Sequence, residues 1–304
     1  MKIILSGVTG LIGRELVRAL LPDHQLVVIS RNRNKAIELL PYQQITHVEW
    51  GEPIDMLAGY FKGCNAVINL AGAGIADKPW SAARRQELIS SRIDPVYHLA
   101  CLLASSGEKP EVVIQASASG FYGQSPEAAF TEENAKGNGF LAEITEIWEG
   151  AATEYSRITG RVVILRTGIV LSASGGALPQ MLKPFRFMAG GPMGSGRQWV
   201  SWIHIEDVVR AIIFLLQQPD ANGPYNLTAP EPVRQSYLAH AIGKALGKPS
   251  WLPAPAFALK LVLGKSMANE LLLEGARILP QKLEQEGFRF VYTNVNDALN
   301  NILR

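Results

Sequence analysis

The eight residues SGVTGLIG (6–13) constrain the fold more than any other part of the chain. They follow KIILS (2–6), which reads as a strand, and open a segment with Ile12, Leu16, Ala19 and Leu20 on one helical face. Gly7, Gly10 and Gly13 therefore fall on a strand-to-helix turn, the context in which G-x-x-G-x-x-G holds a dinucleotide diphosphate. Gly7 permits the tight exit from the strand, Gly10 lets the backbone approach the diphosphate, and Gly13 lets the helix pack close. The helix N-terminus offers free N–H groups and a positive dipole end to the anion.

The same alternation continues. QLVVIS (25–30), THVEW (46–50), NAVINLAG (65–72), EVVIQAS (111–117) and RVVILRT (161–167) read as strands. Helical patterns lie between them, including Ser81 to Ala104 with Ser81 as N-cap, and Phe140 to Thr159. Repeated β-α units imply right-handed crossovers and a parallel sheet with helices on both faces. The expected fold is α/β: a Rossmann-type doubly wound parallel sheet of about seven strands with a smaller, mostly helical C-terminal lobe. Residues 1–170 form the cofactor domain, with the strand-and-helix pair in 199–220 returning to the sheet. Residues 171–198 and 221–304 form the lobe on the substrate side.

The second strand ends in SRNR (30–33), where an acid would bind a ribose 2′-hydroxyl and an arginine suits a 2′-phosphate. Arg31 stands there, and no acid follows until Glu38. A guanidinium matches phosphate geometry, so NADP(H) is favoured over NAD.

Composition excludes several classes. Net charge is +2 with no basic block, so nucleic acid is not an expected partner. No apolar run reaches the roughly 20 residues of a membrane helix, so no membrane partner is expected. The most apolar late stretch, Leu252 to Leu273, is broken by Pro253, Pro255 and Gly264 and reads as a buried or surface-packed helix pair. Lys2 is followed by only three apolar residues before Ser6, which does not read as a signal peptide. The two cysteines, Cys64 and Cys101, suggest neither a disulfide framework nor a zinc site and suit a reducing cytoplasm. His204 and Asp207 mimic a metal signal, but further ligands are missing and no metal is expected.

SGVTGLIG, INLAG (68–72) and SASGFYG (117–123) together resemble the extended or atypical short-chain dehydrogenase/reductases, which include nucleotide-sugar epimerases. INLAG-x-x-IADKPW (68–80), LRTGIVL (165–171), GGPMGSGRQWVSWIHIEDVV (190–209) and the tail from PAPAFALKLVLG to RILPQKLEQEGFRF narrow this to bacterial "epimerase family" proteins of the YfcH type. The resemblance covers essentially the whole chain. It implies that Gly7, Thr9, Gly10, Leu11, Ile12 and Gly13 hold the diphosphate, and that Ser30 and Arg31 meet the adenosine ribose and its phosphate. It further implies that Leu70, Ala71 and Gly72 pass the cofactor by backbone, with Glu87 and Arg92 facing it from the helix. Arg197 and Trp199 become candidates for binding substrate.

Such enzymes use a Ser or Thr at the end of the fifth strand and a Tyr-x-x-x-Lys on the next helix, the Lys lowering the Tyr pKa. Ser117 ends the fifth strand and Ser119 lies two residues on, and either could donate a hydrogen bond to a bound carbonyl; Ser117 is counted both as catalytic and as cofactor-facing. The Tyr-x-x-x-Lys is absent. The eight tyrosines are followed four positions on by Thr46, Cys64, Cys101, Pro126, Thr159, Ala229, Ala241 and Asn296. Alignment on Trp148-Glu149 places Leu141 and Thr145 at the Tyr and Lys positions, and a slip of one residue puts Phe140 at the Tyr position. Tyr122 and Glu143 are the substitutes the sequence offers. The resulting expectation is an NADP(H)-binding oxidoreductase or epimerase with a nonstandard catalytic site and an unidentified small-molecule substrate, a nucleotide sugar among the candidates. The alternative is a non-catalytic sensor of NADPH.

Overall fold

In the computed structural model, which describes residues 1–303, seven strands form one parallel sheet. They are β1 (Lys2–Ser6), β2 (Gln25–Ser30), β3 (Thr46–Glu49), β4 (Ala66–Asn69), β5 (Val112–Ala118), β6 (Val162–Thr167) and β7 (Gly223–Leu227). Their order is β7-β6-β5-β4-β1-β2-β3, and every adjacent pair is parallel. The order reverses beside β1, so the glycine turn sits at the switch point where such sheets bind ligands.

Both sheet faces are covered, which explains the unbroken apolar runs of the strands. Ile3 and Leu5 face one core, shared with Leu16, Val17 and Leu20 of α1 (Leu11–Leu20). Ile4, between them, faces the opposite core, shared with Phe61 of α3 (Ile54–Phe61), Leu99 of α4 (Ala82–Ser106) and Trp148 of α5 (Phe140–Ala151). The short helix α2 (Arg33–Leu39) completes this half. Ser81 caps α4 as expected, its hydroxyl accepting the Arg84 N–H at 3.2 Å. Helix α5 stops at Ala151 and tightens into a 3₁₀ turn over Ala152–Arg157, short of the expected end at Thr159.

The second lobe differs in two respects from the sequence reading. The strand within 199–220, Trp202–His204, does not enter the main sheet. It pairs with Ile169–Leu171, just beyond β6. Gly168 makes the divergence possible, because a Cβ there would overlap the Ser201 carbonyl oxygen. What returns to the sheet is α7 (Ile205–Gln217), whose Ile212, Leu215 and Leu216 pack in the same core as α1. The seventh strand is GPYNL (223–227), from a range the sequence reading gave to the smaller lobe.

Helices α6 (Leu178–Arg186) and α8 (Gln235–Leu246) carry much of the lobe's own core. Helices α9 (Ala256–Leu263), α10 (Lys265–Ala268) and α11 (Gln281–Gln285) follow, and α12 (Val295–Leu303) completes that core. His204 caps α7, its Nδ1 accepting the Glu206 N–H at 3.1 Å, while the fully buried Asp207 accepts the N–H groups of Val291 and Tyr292. Both residues are structural.

A buried polar network joins lobe and sheet. Arg166 on β6 donates Nε and Nη2 to Glu149 of α5 at 2.9 and 2.8 Å, and Nη1 to the Tyr122 hydroxyl at 2.9 Å. The Tyr122 hydroxyl donates to Asn226 of β7 at 2.7 Å, and the Asn226 amide donates to the Leu279 carbonyl at 3.0 Å. The Asn226 backbone N–H donates to Glu132 at 3.0 Å. Arg166 and Glu149 side chains are only 6% and 15% exposed. Removing one member of such a pair strands a buried charge, whereas replacing both by apolar groups does not. Arg166→Met should therefore lower unfolding free energy by about 3–5 kcal/mol in urea titration. The double variant Arg166→Met/Glu149→Leu should lose less than Arg166→Met alone.

Candidate functional site

The glycine turn is built as a cradle. Gly7 has φ +75°, and a Cβ there would overlap the backbone of Leu70 and Ala71 as the chain leaves β4. A Cβ on Gly13 would overlap the backbone of Val8, so the first turn of α1 packs directly on the strand exit. Gly10 is the N-cap and supplies no side-chain acceptor, and its own N–H turns back to the Gly7 carbonyl at 3.2 Å. The first N–H groups of α1, at Leu11, Ile12 and Gly13, have no intrahelical partner and stay available to an anion. Thr9 and Gly10 are exposed at its edge.

At the end of β2 the Ser30 Oγ is buried without a hydrogen-bond partner. Arg31 next to it is exposed and makes no ion pair among the described residues. Its charge reaches Glu87 of α4, whose carboxyl lies below its ordinary value chiefly through a hydrogen bond from Arg84, with Lys78 and Arg31 adding their fields. Glu87 is exposed and oriented by Arg84.

Arg92 is engaged by the protein. Its guanidinium donates to the carbonyls of Leu88 and Ala73 at 2.9 and 3.1 Å and lies over the Trp148 ring at 5.1 Å. Burial, with the charge of Arg84, lowers its pKa to about 10. A Cβ on Gly72 would sit 3.4 Å from the Arg92 Cγ, so this side chain shapes the loop after β4 from beneath.

Arg92 also lines a cavity of about 270 Å³ over the C-terminal ends of β5 and β6. Ala118, Ser119 and Thr167 form its base, and Leu141, Ile144 and Thr145 of α5 form one wall. Trp199, Glu270 and Glu274 close it from the second lobe. The aligned positions Leu141 and Thr145 thus face the cavity. Neither handles a proton: Leu141 is apolar, and the Thr145 hydroxyl is bound to the Leu141 and Ala142 carbonyls at 2.7 and 3.0 Å.

Ser117 and Tyr122, the catalytic candidates of the sequence, are placed elsewhere. Successive strand residues point to opposite faces, so Ser117 turns from the cavity and donates to Glu149 at 2.6 Å, while Ala118 faces the cavity. Tyr122 is 1% exposed within the Arg166 network. Burial raises its pKa, against the opposing pull of Arg166. Glu143 is exposed on the outer side of α5. Arg197 is exposed and does not line the cavity. Trp199 does, its indole N–H held by the Pro126 carbonyl at 3.1 Å and its ring covered by Arg234 at 3.8 Å.

The groups that sequence reasoning missed are Glu270 and Glu274. Glu270 accepts the Leu141 N–H at 2.9 Å through Oε2 and the Ser266 hydroxyl at 3.0 Å through Oε1. It therefore serves the open N-terminus of α5, where Gly139 offers no side-chain cap and its φ of +104° leaves room for the carboxylate. Among the described residues the Glu274 carboxylate has no partner in a salt bridge, and no group of three or more His, Cys, Asp or Glu could hold a metal ion. The only signal for Glu270 and Glu274 was their place on the tail ELLLEG, which says nothing of what the tail covers.

Comparison with known proteins places this geometry. Residues 3–228 match the NAD dependent epimerase/dehydratase family, and residues 254–302 match a domain of unknown function, DUF1731. A chloroplastic epimerase family protein SDR39U1 homolog of Arabidopsis thaliana is 38% identical, over all of this chain and 87% of its own length. The epimerase family protein YfhF of Bacillus subtilis is 35% identical, over all of this chain and 98% of its own. Human epimerase family protein SDR39U1, crystallised with NADPH, superposes with a TM-score of 0.88 at 29% identity, covering 100% of this chain and 99% of that one. A dTDP-glucose 4,6-dehydratase from Streptomyces venezuelae shares the fold at 20% identity, with a TM-score of 0.80 over 100% and 96% of the two chains. The chain belongs to the NAD dependent epimerase/dehydratase family, in its atypical short-chain dehydrogenase/reductase branch.

Proposed function

We propose that this protein is an NADP(H)-dependent oxidoreductase acting on a small molecule in the cavity above β5 and β6, with a carboxylate in place of the tyrosine. The observation that carries the reading is Glu270. Its carboxylate is hydrogen-bonded to the backbone of Leu141, the residue aligned with the proton-handling tyrosine of relatives, and it lines the same cavity.

The cofactor assignment rests on the cradle at Gly7 and on the Ser30 Oγ and Arg31 guanidinium, which have no hydrogen-bond and no ion-pair partner, respectively, among the described residues. These suit a diphosphate, a ribose and a 2′-phosphate in turn. The human relative's crystal structure holds NADPH. When bound, the nicotinamide supplies or takes the hydride. The chain's own groups do the rest. Glu270 removes the proton from a substrate hydroxyl, or returns it, while the Leu141 N–H and the Ser266 hydroxyl hold the carboxylate in place. Ser119 donates a hydrogen bond to the substrate oxygen. Ala118, Leu141 and Ile144 keep water from the reacting carbon.

Arg31→Ala should weaken NADPH binding about 10- to 100-fold, the scale of a charge-assisted contact, and leave NADH within about twofold. Fluorescence titration with both nucleotides checks this, and equal losses would remove the 2′-phosphate role. Glu270→Gln keeps an acceptor for the Leu141 N–H, so the fold should stand. Turnover of the best substrate in a panel of nucleotide sugars, aldehydes and ketones should fall about 10²–10⁴-fold, with NADPH affinity unchanged. Tight NADPH binding by the native chain with no turnover across the panel would instead support the sensor.

A further inference from the structure

Helix α9, AFALKLVL (256–263), has no buried residue although seven of its eight side chains are apolar. Phe257, Leu261 and Val262 are 74–85% exposed. The sequence reading of this stretch as packed is met by Met267 and Ala268 of α10, which are buried, and not by α9. Trp251 and Phe187, 72% and 82% exposed, and Met188 lie on two neighbouring segments, one of which leads directly into α9. The two segments are joined by backbone hydrogen bonds, Leu252 N–H to Gly190 at 3.1 Å and Ala254 N–H to Pro192 at 2.8 Å. Single exposed apolar residues are ordinary, but a continuous group of large ones marks an interaction surface.

Charge decides what covers it. No Asp or Glu occurs between Glu154 and Glu206, or between Glu231 and Glu270, so both segments that build the patch are free of acids. They carry Lys183, Arg186, Lys248, Lys260 and Lys265, none in an ion pair among the described residues. A two-fold contact through this patch would bring these cations toward their own copies with no acid to offset them. An anionic surface offsets them all. Protruding Phe, Trp and Leu side chains flanked by lysines are what an interfacial helix presents to headgroups and acyl chains.

We propose that Phe187, Met188, Trp251, Phe257, Leu261 and Val262 form a seat for an anionic lipid surface, with α9 lying in the headgroup layer. The chain attaches from one side: no helix among the described residues is long and apolar enough to cross a membrane. This departs from the sequence expectation of no membrane partner, which rested on the lack of a spanning apolar run.

Flotation of the full chain with vesicles tests it. Phosphatidylcholine vesicles containing about 30% phosphatidylglycerol should carry the protein, pure phosphatidylcholine much less, and binding should fall between about 0.05 and 0.5 M salt. Phe257→Ser/Leu261→Ser should lower partitioning at least about tenfold with circular dichroism and melting temperature unchanged. Lys260→Glu/Lys265→Glu should abolish the preference for anionic vesicles. Absence of flotation on anionic vesicles at low salt would overturn the proposal. So would a solution dimer that Phe257→Ser/Leu261→Ser splits, since a second copy would then be the occupant.

Discussion

The Arg166–Glu149 pair is the interaction on which the rest of the site depends. It lies at the C-terminal end of the sheet, where β6, α5 and the turn after β5 converge, and it reaches β7 through Tyr122 and Asn226. A buried ion pair gives little net stability relative to an apolar replacement. Its effect here is positional. Each polar atom of the network has a partner on a different element, so moving any one element leaves a buried group unsatisfied, at a cost of about 1–3 kcal/mol.

That constraint orients α5. Residues 141, 145 and 149 lie four apart and share one helical face. Holding Glu149 against the edge of the sheet turns Leu141 and Thr145 toward the cavity. At the other end of the helix, Glu270 holds the Leu141 N–H. The helix is thus fixed at its start by a carboxylate from the second lobe and near its end by an arginine from the sheet. The same pair explains why two plausible catalytic groups are unavailable. Ser117 is a partner of Glu149, and Tyr122 is a partner of Arg166, so both hydroxyls are committed to the scaffold.

The cofactor half was legible because local rules specify it. The glycines of 7–13 require one another's spacing, and five strands from β1 to β6 emerged within two residues at each end from their apolar runs, β4 alone being shorter. The seventh strand was not legible, because GPYNL begins with glycine and proline and carries a polar Asn226 as its fourth residue. Its asparagine belongs to the Arg166 network, a tertiary reason invisible in one strand. Of the two serines the sequence offers, the period-two alternation turns Ser117 away from the cavity, where Ala118 faces it, while Ser119 lines it. Glu270 was hidden because its role depends on the tail folding back over α5 from 129 residues away.

The distribution of charge links the two outer features of the second lobe. A net charge of +2 conceals long segments with no acid at all. The acids that follow the second of these segments, Glu270 and Glu274, line the cavity. Helix α9 and the π-helical turn Asn269–Leu273 that bears Glu270 follow one another in the chain, joined through Gly264 and α10. An apolar, cationic outer face and a carboxylate-bearing inner face are thus two sides of one short segment. The segment is held against the cavity by the Glu270–Leu141 hydrogen bond, by Arg85 on the Ser266 hydroxyl and by Gln198 on the Leu272 carbonyl.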